Sequence, residues 1–180
     1  MTIKNIKISN LKMHHFNPLF LIRAFRSVLA SRKVTKSKYA FPIRINSTFQ
    51  KLNIYVAPTA KFVCNGILRI KSWQNGNEPI SITLDEQSEM VIDGDLIIGN
   101  GTRIFVGQGA SLYIGGQRCE SAAGITEKSL IMVNKKIHIG VDCIIAWNVF
   151  ITDSDWHTIQ GKNIQEDVVI GDHVWLACNS

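Results

Sequence analysis

Residues 139–180 read IGVDCIIAWNVFITDSDWHTIQGKNIQEDVVIGDHVWLACNS, and aliphatic residues recur in this stretch at every sixth position. Those before the interrupting loop are Ile139, Ile145 and Ile151, continuing the period from Val133, and those after it are Ile164, Ile170 and Leu176. The same period occurs upstream in Ile92, Ile98, Ile104 and Ala110, and in a degenerate form in Val56, Phe62 and Leu68. A repeat this short indicates a solenoid built from stacked units.

A six-residue period predicts a parallel β-helix of triangular cross-section. Each hexapeptide forms one face, its aliphatic residue points inward, and a Gly or Asn allows the corner. Three hexapeptides then make a coil of about 18 residues. A sandwich or barrel would instead turn every eight to twelve residues without a strict short period. We therefore expect an all-β domain over residues 41–180.

The period is interrupted twice. Ala110 and Val133 are 23 residues apart, and the excess lies in residues 115–129, GGQRCESAAGITEKS. Ile151 and Ile164 are 13 residues apart, which leaves seven residues beyond one hexad in TDSDWHTIQGKN. A loop leaving a rigid coil is a common place for function.

Residues 1–40 form a separate basic N-terminal segment. Residues 1–77 contain 14 Lys and Arg and no acidic residue, because Glu78 is the first acid in the chain. Within 16–33, FNPLFLIRAFRSVLASRK, helical spacing predicts an amphipathic helix, with Asn17 as its cap and Pro18 as its first residue. This helix either packs on the β domain or lies on an anionic membrane surface.

The remaining composition constrains the environment. The segment 1–15 lacks the apolar core of a signal peptide, and 16–30 is too charged and short to cross a bilayer. The four cysteines have no close spacing, which favours reduced thiols in a cytoplasmic protein. The expected location is thus the cytoplasm, or the inner membrane face as a peripheral protein. No nucleic-acid-binding motif accompanies the positive charge, so we expect no nucleic-acid partner.

The hexads around IGVDCI and IGDHVWLACNS, with DSDWHTI between them, resemble the hexapeptide-repeat acyltransferases. Over roughly residues 90–180 the chain is most similar to sugar O-acetyltransferases of capsule and lipopolysaccharide synthesis. The resemblance implies a left-handed parallel β-helix, a homotrimer, acetyl-CoA as co-substrate and a sugar or glycan acceptor. No metal cofactor is expected.

The resemblance also implies roles for particular residues. His157 matches the general base of the family's loop, and Asn148 matches an asparagine in the acceptor pocket. The positions expected to contact acetyl-CoA are Trp175, Ala177 and Cys178, the last through its backbone N–H. Three features depart from the family: Thr158 follows the histidine where Pro is frequent, Ala177 replaces a frequent Gly, and family members continue beyond the equivalent of Ser180. The domain is therefore expected to be truncated at its C-terminus.

The loop chemistry can be argued from the residues themselves. A sugar hydroxyl must lose its proton as it attacks a thioester, and histidine accepts protons near neutral pH. Asp155 or Asp153 would orient His157, with Asp155 preferred, and Asp153 is also a candidate to bind the acceptor. Trp156 is placed to stack on a sugar ring. The alternative interpretations are a solvated surface histidine for His157 and a corner residue for Asn148.

Other functions remain open at this point. An amino-sugar nucleotide could accept the acetyl group on nitrogen, or the chain could be a non-catalytic β-helix binding module if it is complete as given. A zinc enzyme of the same fold needs histidines in one phase of the repeat. His138 and His173 lie in different phases, which argues against such a site.

Overall fold

The structure, a computed structural model, describes residues 18–74, 76–119, 123–157, 160–161 and 164–180. In these residues the chain forms one α-helix, α1 (Pro18–Ser31), and sixteen strands, β1 to β16 in chain order. All pairings between these strands are parallel, and each strand stacks on the strand three places before it. The expected parallel β-helix with a short N-terminal helix is thereby confirmed as a β-solenoid of about five coils.

The strands form three sheets, which are the three faces of the solenoid. Face 1 contains β1 (Ile43–Ile45), β4 (Leu68–Ile70), β7 (Leu96–Ile98), β10 (Gly124–Ile125), β13 (Ile144–Ile145) and β16 (Trp175–Leu176). Face 2 contains β2 (Leu52–Val56), β5 (Ile80–Leu84), β8 (Arg103–Val106), β11 (Leu130–Val133) and β14 (Phe150–Thr152). Face 3 contains β3 (Lys61–Cys64), β6 (Glu89–Ile92), β9 (Ser111–Gly116), β12 (Lys136–Val141) and β15 (Val168–Ile170).

The hexad residues fill the core between these faces. Ile92, Ile98 and Ile104 lie on β6, β7 and β8, three successive faces, and all three are buried. Residues from successive coils then stack in inward columns, such as Ile82, Ile104, Ile131 and Ile151 on face 2. Alternation along each strand puts every second side chain into the core. The period of six therefore marks inward positions on successive faces, as predicted.

The coils are longer than the 18 residues expected from three hexads. Ile131 pairs with Ile151, twenty residues later, and Ile92 pairs with Ile114, four residues beyond the hexad position Ala110. Across the 153–167 loop, Ile139 pairs with Ile170, thirty-one residues later. The excess lies in the corners and in the six-residue strands of face 3, so the hexad does not repeat without a break around the coil.

Gly99 shows why glycine follows an inward isoleucine in the repeat. A Cβ atom at this position would lie 1.4 Å from the carbonyl oxygen of Thr126 in the next coil. Close approach of two backbones, and not a left-handed conformation, is therefore the requirement here. The left-handed corner residues are elsewhere and include Gly101, Asn148 and Asn179.

Helix α1 occupies Pro18–Ser31, within the segment predicted to be helical, and packs against β1 at the edge of face 1. The packing interpretation of this helix is thus confirmed, while Asn17 lies outside the described residues. The following segment continues the solenoid, since Thr35 N–H donates to the carbonyl of Phe62 on β3 at 2.8 Å. Among the described residues, the structure has no helix long and apolar enough to cross a membrane.

Candidate functional site

The 153–167 loop leaves the solenoid between β14 and β15, where the second interruption of the period predicted it. Its two ends are joined by hydrogen bonds from Asp155 N–H to the Ile164 carbonyl, at 3.0 Å, and from Glu166 N–H to the Asp153 carbonyl, at 3.1 Å. Ser154 and Gln165 form an antiparallel bridge between these bonds. The two backbone hydrogen bonds and the bridge thus close the neck of the loop where it leaves the solenoid.

Asp153 holds the base of the loop to the preceding coil. Its side chain is buried, with 4% of the residue exposed, and it accepts hydrogen bonds from Asn134 N–H at 2.7 Å and Lys135 N–H at 2.8 Å. Each carboxylate oxygen thus has a backbone donor from the corner of the coil below. Two aspartates were considered for orienting His157. Both oxygens of one of them, Asp153, already accept hydrogen bonds from the backbone of the preceding coil.

Trp156 folds back onto the outer surface of face 2. Its indole N–H donates to the hydroxyl of Thr152 at 2.9 Å, and its ring centroid lies 6.2 Å from that of Phe105. Phe105, Met132 and Thr152 are aligned by strand register on successive coils of this face. The backbone of Trp156 is left-handed, with φ of 59°. These contacts fix the segment immediately before His157.

His157 itself is exposed, and so is Asp155. Among the described residues, no hydrogen bond joins the His157 side chain to either Asp153 or Asp155. Thr158, where the family frequently has Pro, lies outside the described residues. The imidazole is therefore presented to solvent at the end of a fixed segment, with a carboxylate two residues before it.

A cavity of about 220 Å³ lies beneath the loop neck. Its lining comes from both sides of the neck and from the strands that flank it: Thr152, Asp153, Ser154, Asp155, Ile164, Gln165, Glu166 and Val168. Most of these groups are polar, which suits a hydroxylated ligand better than an apolar one.

The other predicted residues lie at the opposite end of face 2. Asn148 occupies the exposed corner between faces 1 and 2 with φ of 56°, and the corner of the next coil stacks on it through Asn179 N–H to the Trp147 carbonyl, at 3.4 Å. Ala177 and Cys178 are exposed in that next corner. Asn148 and the 177–178 segment are thus brought together on neighbouring coils.

Trp175 projects outward from face 1 on β16. It is 72% exposed and pairs in register with Ile144, which is 37% exposed. Together with Trp147, 48% exposed, these side chains make the last coils apolar on their outer surface near the corner.

Within one chain the loop and this corner are separated by β14. Asn148 and Asp153 are five positions apart in the chain, which corresponds to about 16 Å at the usual rise of a strand. One chain therefore presents two groups of candidate residues: the 153–157 segment at one end of face 2, and Asn148 with residues 177–178 at the corner between faces 1 and 2, next to Trp175 on face 1.

A polar corner between faces 3 and 1 was missed by the sequence reasoning. Asp142 is left-handed, with φ of 55°, and its buried carboxylate accepts the N–H of Arg118 at 2.8 Å and that of Cys119 at 3.3 Å. The Arg118 N–H bond, partly opposed by burial, lowers the pKa of this carboxyl. His173 Nδ1 lies 3.8 Å from its second oxygen. Residues Arg118 and Cys119, which belong to the first interruption of the period, are thus hydrogen-bonded to the corner of the next coil.

The same corner continues through the coils below, with Asp93 two coils below Asp142. Asp93 accepts hydrogen bonds from the Asn65 amide at 2.9 Å and the Tyr113 hydroxyl at 3.2 Å, and it also pairs with Arg118. The Asn65 bond is the main cause of the lowered pKa of Asp93. The only sequence signal for this cluster is the excess of residues in 115–129, because its described members are scattered over five coils, after β3, β6, β9, β12 and β15.

Two further sequence predictions concern metals and thiols. His138 stacks on Tyr113 on face 3 with a centroid distance of 4.6 Å, whereas His173 lies in a turn, so the two histidines occupy different positions of the coil. Among the described residues, no three His, Cys, Asp or Glu side chains form a group that could hold a metal ion. All four cysteines are free, with Cys64 and Cys143 buried.

Comparisons of the chain with models of protein families, with curated proteins and with solved structures found no match.

Proposed function

We propose that this protein is an acetyl-CoA-dependent O-acetyltransferase that acts on a sugar or a surface-polysaccharide precursor. The observation that supports the proposal most directly is the position of His157: an exposed imidazole on a loop whose neck is closed and whose preceding residue is anchored to face 2. A general base must be both accessible to its substrate and held in position. The resemblance of the hexads and of DSDWH to sugar acetyltransferases supplies the reaction class.

In the proposed reaction, His157 accepts the proton of a sugar hydroxyl as the hydroxyl oxygen attacks the thioester carbonyl. The tetrahedral intermediate collapses by breaking the carbon–sulfur bond, and the imidazolium returns the proton to the departing thiolate. The products are an acetyl ester and free coenzyme A. No acyl-enzyme is needed, and no redox partner is involved. A base of this type contributes roughly 10²- to 10⁴-fold in rate.

Asp155 is the positioning residue in this proposal. It is exposed and lies two residues before the base, whereas both oxygens of Asp153 are occupied by backbone donors. A carboxylate beside the imidazole selects its tautomer and stabilises the imidazolium that forms. Trp156 and the cavity under the loop neck supply contacts for the acceptor.

The distance between the two groups of residues favours a site completed by a second subunit. Asn148 lies at the far end of β14 from the loop, and so do Trp175, Ala177 and Cys178, the residues that the resemblance assigns to acetyl-CoA. A homotrimer, as the resemblance implies, would bring the loop of one chain to the corner of its neighbour. The exposed Trp175, Ala177 and Cys178 leave this surface accessible to acetyl-CoA.

The test is release of coenzyme A, measured chromatographically, from acetyl-CoA in the presence of a panel of sugars, sugar nucleotides and lipid-linked glycans. His157→Ala is expected to lower kcat by roughly 10²- to 10⁴-fold and to leave the melting temperature unchanged, because the side chain is exposed. His173→Ala is the matched control, an exposed histidine at a different corner. Full activity of the His157 variant would contradict the assignment of the base. Activity on amino sugars alone would show N-acetylation, and failure to bind acetyl-CoA would favour a non-catalytic module.

A further inference from the structure

Helix α1 turns its polar side toward the protein. The Ser27 hydroxyl accepts the N–H of Ile45 at 2.9 Å, and the Ser31 hydroxyl accepts the N–H of Ile43 at 3.1 Å. Arg26 donates to carbonyl oxygens of the loop between β1 and β2. These side chains replace the neighbouring strand that β1 lacks at the edge of face 1, which is why the helix binds through hydroxyl and guanidinium groups.

The opposite side of α1 is apolar and faces away from the solenoid. Leu21, Ile22, Phe25 and Leu29 follow helical spacing on one stripe, and each is between 43% and 64% exposed. A helix on the surface of a globular protein normally has the reverse arrangement, with its apolar side toward the core. Two large apolar side chains of the first coil are also exposed: Phe41 is 54% exposed and Phe49 is 75% exposed. We call this surface, defined by Leu21, Ile22, Phe25 and Leu29, the α1 face.

The surroundings of the α1 face are positively charged. Arg32, Lys33, Lys36 and Lys38 follow the helix directly, and all four are exposed. No acidic residue occurs in the chain before Glu78, so this end of the molecule carries no compensating carboxylate from the first coil. A second copy of the chain docked here would bring two basic rims together, which like-charge repulsion opposes.

A cavity beside α1 is also lined by both apolar and positively charged side chains. It has a volume of about 560 Å³ and lies between the helix and the residues leading into β1. Aromatic and arginine side chains alternate in its lining, namely Phe20, Arg23, Phe41 and Arg44. Apolar surface and fixed positive charge thus coincide on both sides of the helix.

We propose that the α1 face binds the surface of an anionic phospholipid bilayer. An interfacial helix places Leu and Phe side chains at the boundary of headgroups and acyl chains, while Lys and Arg attract anionic lipid. The helix lies at the end of the coil stack, so this binding mode leaves the faces of the solenoid and the 153–167 loop accessible from the aqueous side. The proposal does not depend on the acetyltransferase reaction.

The experiment is co-sedimentation of the full chain with vesicles of phosphatidylcholine mixed with phosphatidylglycerol, and with vesicles of phosphatidylcholine alone. Binding is expected with the anionic vesicles, and high salt should weaken it because charges at the surface are screened. Phe25→Asp should lower the partition coefficient roughly ten- to hundredfold. The double variant Arg32→Gln with Lys33→Gln should lower it roughly tenfold or more. Circular dichroism checks that each variant is folded.

Val169→Asp is the matched control, because Val169 is 72% exposed on β15 at the far end of the stack. It is expected to bind anionic vesicles like the unmodified chain. Equal binding to both vesicle types would overturn the proposal, and so would unchanged binding by Phe25→Asp. Absence of binding to any vesicle would overturn it as well. Self-association that Phe25→Asp abolishes, without vesicle binding, would show that a second copy occupies the α1 face.

Discussion

Asp153 and Asp155 are two residues apart in the chain and have opposite environments. The Asp153 carboxylate is buried and accepts two backbone N–H groups, whereas Asp155 is exposed beside His157. The sequence presents both as carboxylates near a histidine, and only the fold separates a structural group from a candidate for positioning the base.

Replacing each aspartate by alanine should therefore have different effects. Asp153→Ala leaves the N–H groups of Asn134 and Lys135 without their acceptor and is expected to lower the free energy of unfolding by roughly 1–3 kcal/mol. Asp155→Ala should leave that free energy unchanged and should lower kcat of acetyl transfer roughly tenfold or more, with little change in KM. Urea denaturation and steady-state kinetics measure the two effects. Equal destabilisation by both substitutions would contradict this division.

At the scale of elements, α1 is the part of the chain whose role depends most on its neighbours. Its spacing and Pro18 were sufficient to predict a helix. They did not show which side faces the solenoid: the serines bond to β1 and the arginines to the loop after it, while the leucines and phenylalanines are largely exposed. The spacing of apolar residues predicts that the apolar side of a helix faces the core. Here the polar side faces the solenoid, because its hydroxyl groups accept the unpaired N–H groups of the edge strand β1.

Ser31→Ala tests this capping role. The buried Ser31 hydroxyl bonds to both the N–H and the carbonyl of Ile43, so its removal leaves edge groups of β1 unpaired. We expect the free energy of unfolding to fall by roughly 1–3 kcal/mol, and amide exchange at Ile43 to become faster. Ser37→Ala, which removes only a bond to Tyr39 N–H in the exposed segment after the helix, is the control. If both variants unfold at the same denaturant concentration, the cap does not stabilise β1.

For the strands, too, the sequence predicted some features and the tertiary structure decided others. The hexad placed Ile92, Ile98 and Ile104 on successive faces correctly, because alternation and corner spacing are local properties. It did not give the coil length, since corner and strand lengths differ from face to face. The 153–167 loop was found from the break in period, but its closed neck depends on hydrogen bonds between residues about ten positions apart.

At the scale of the whole molecule, carboxylates cluster along the corner between faces 3 and 1. Hydrogen bonds to the folded chain lower the pKa of Asp93 and of Asp142 below their ordinary value of 3.8. The unfolded chain therefore binds protons more readily than the folded chain at these positions. Their stabilisation is present above about pH 4 and is lost as the pH falls through the folded-state pKa.

Thermal unfolding between neutral pH and pH 3 should show this loss as a falling melting temperature. In Asp142→Asn the decline below pH 4 is expected to be smaller, because one of the linked protons is removed while asparagine tolerates the left-handed backbone at this corner. At neutral pH the variant should be less stable, since the ionised acceptor for the Arg118 and Cys119 N–H groups is lost. A decline as steep as that of the unmodified chain would mean that Asp142 does not contribute to the acid sensitivity.

The sequence by itself determined the class of fold, the presence of α1, the inward positions of the hexads and the position of the loop that carries His157. These follow from periodicity and from residues that begin or interrupt regular structure, and both are local. Only the tertiary structure decided the length of each coil, the burial of Asp153, the polar corner around Asp142 and the outward direction of the α1 face. Each of these depends on which donors and acceptors meet across the fold, and the residues that meet are 12 to 31 positions apart in the chain.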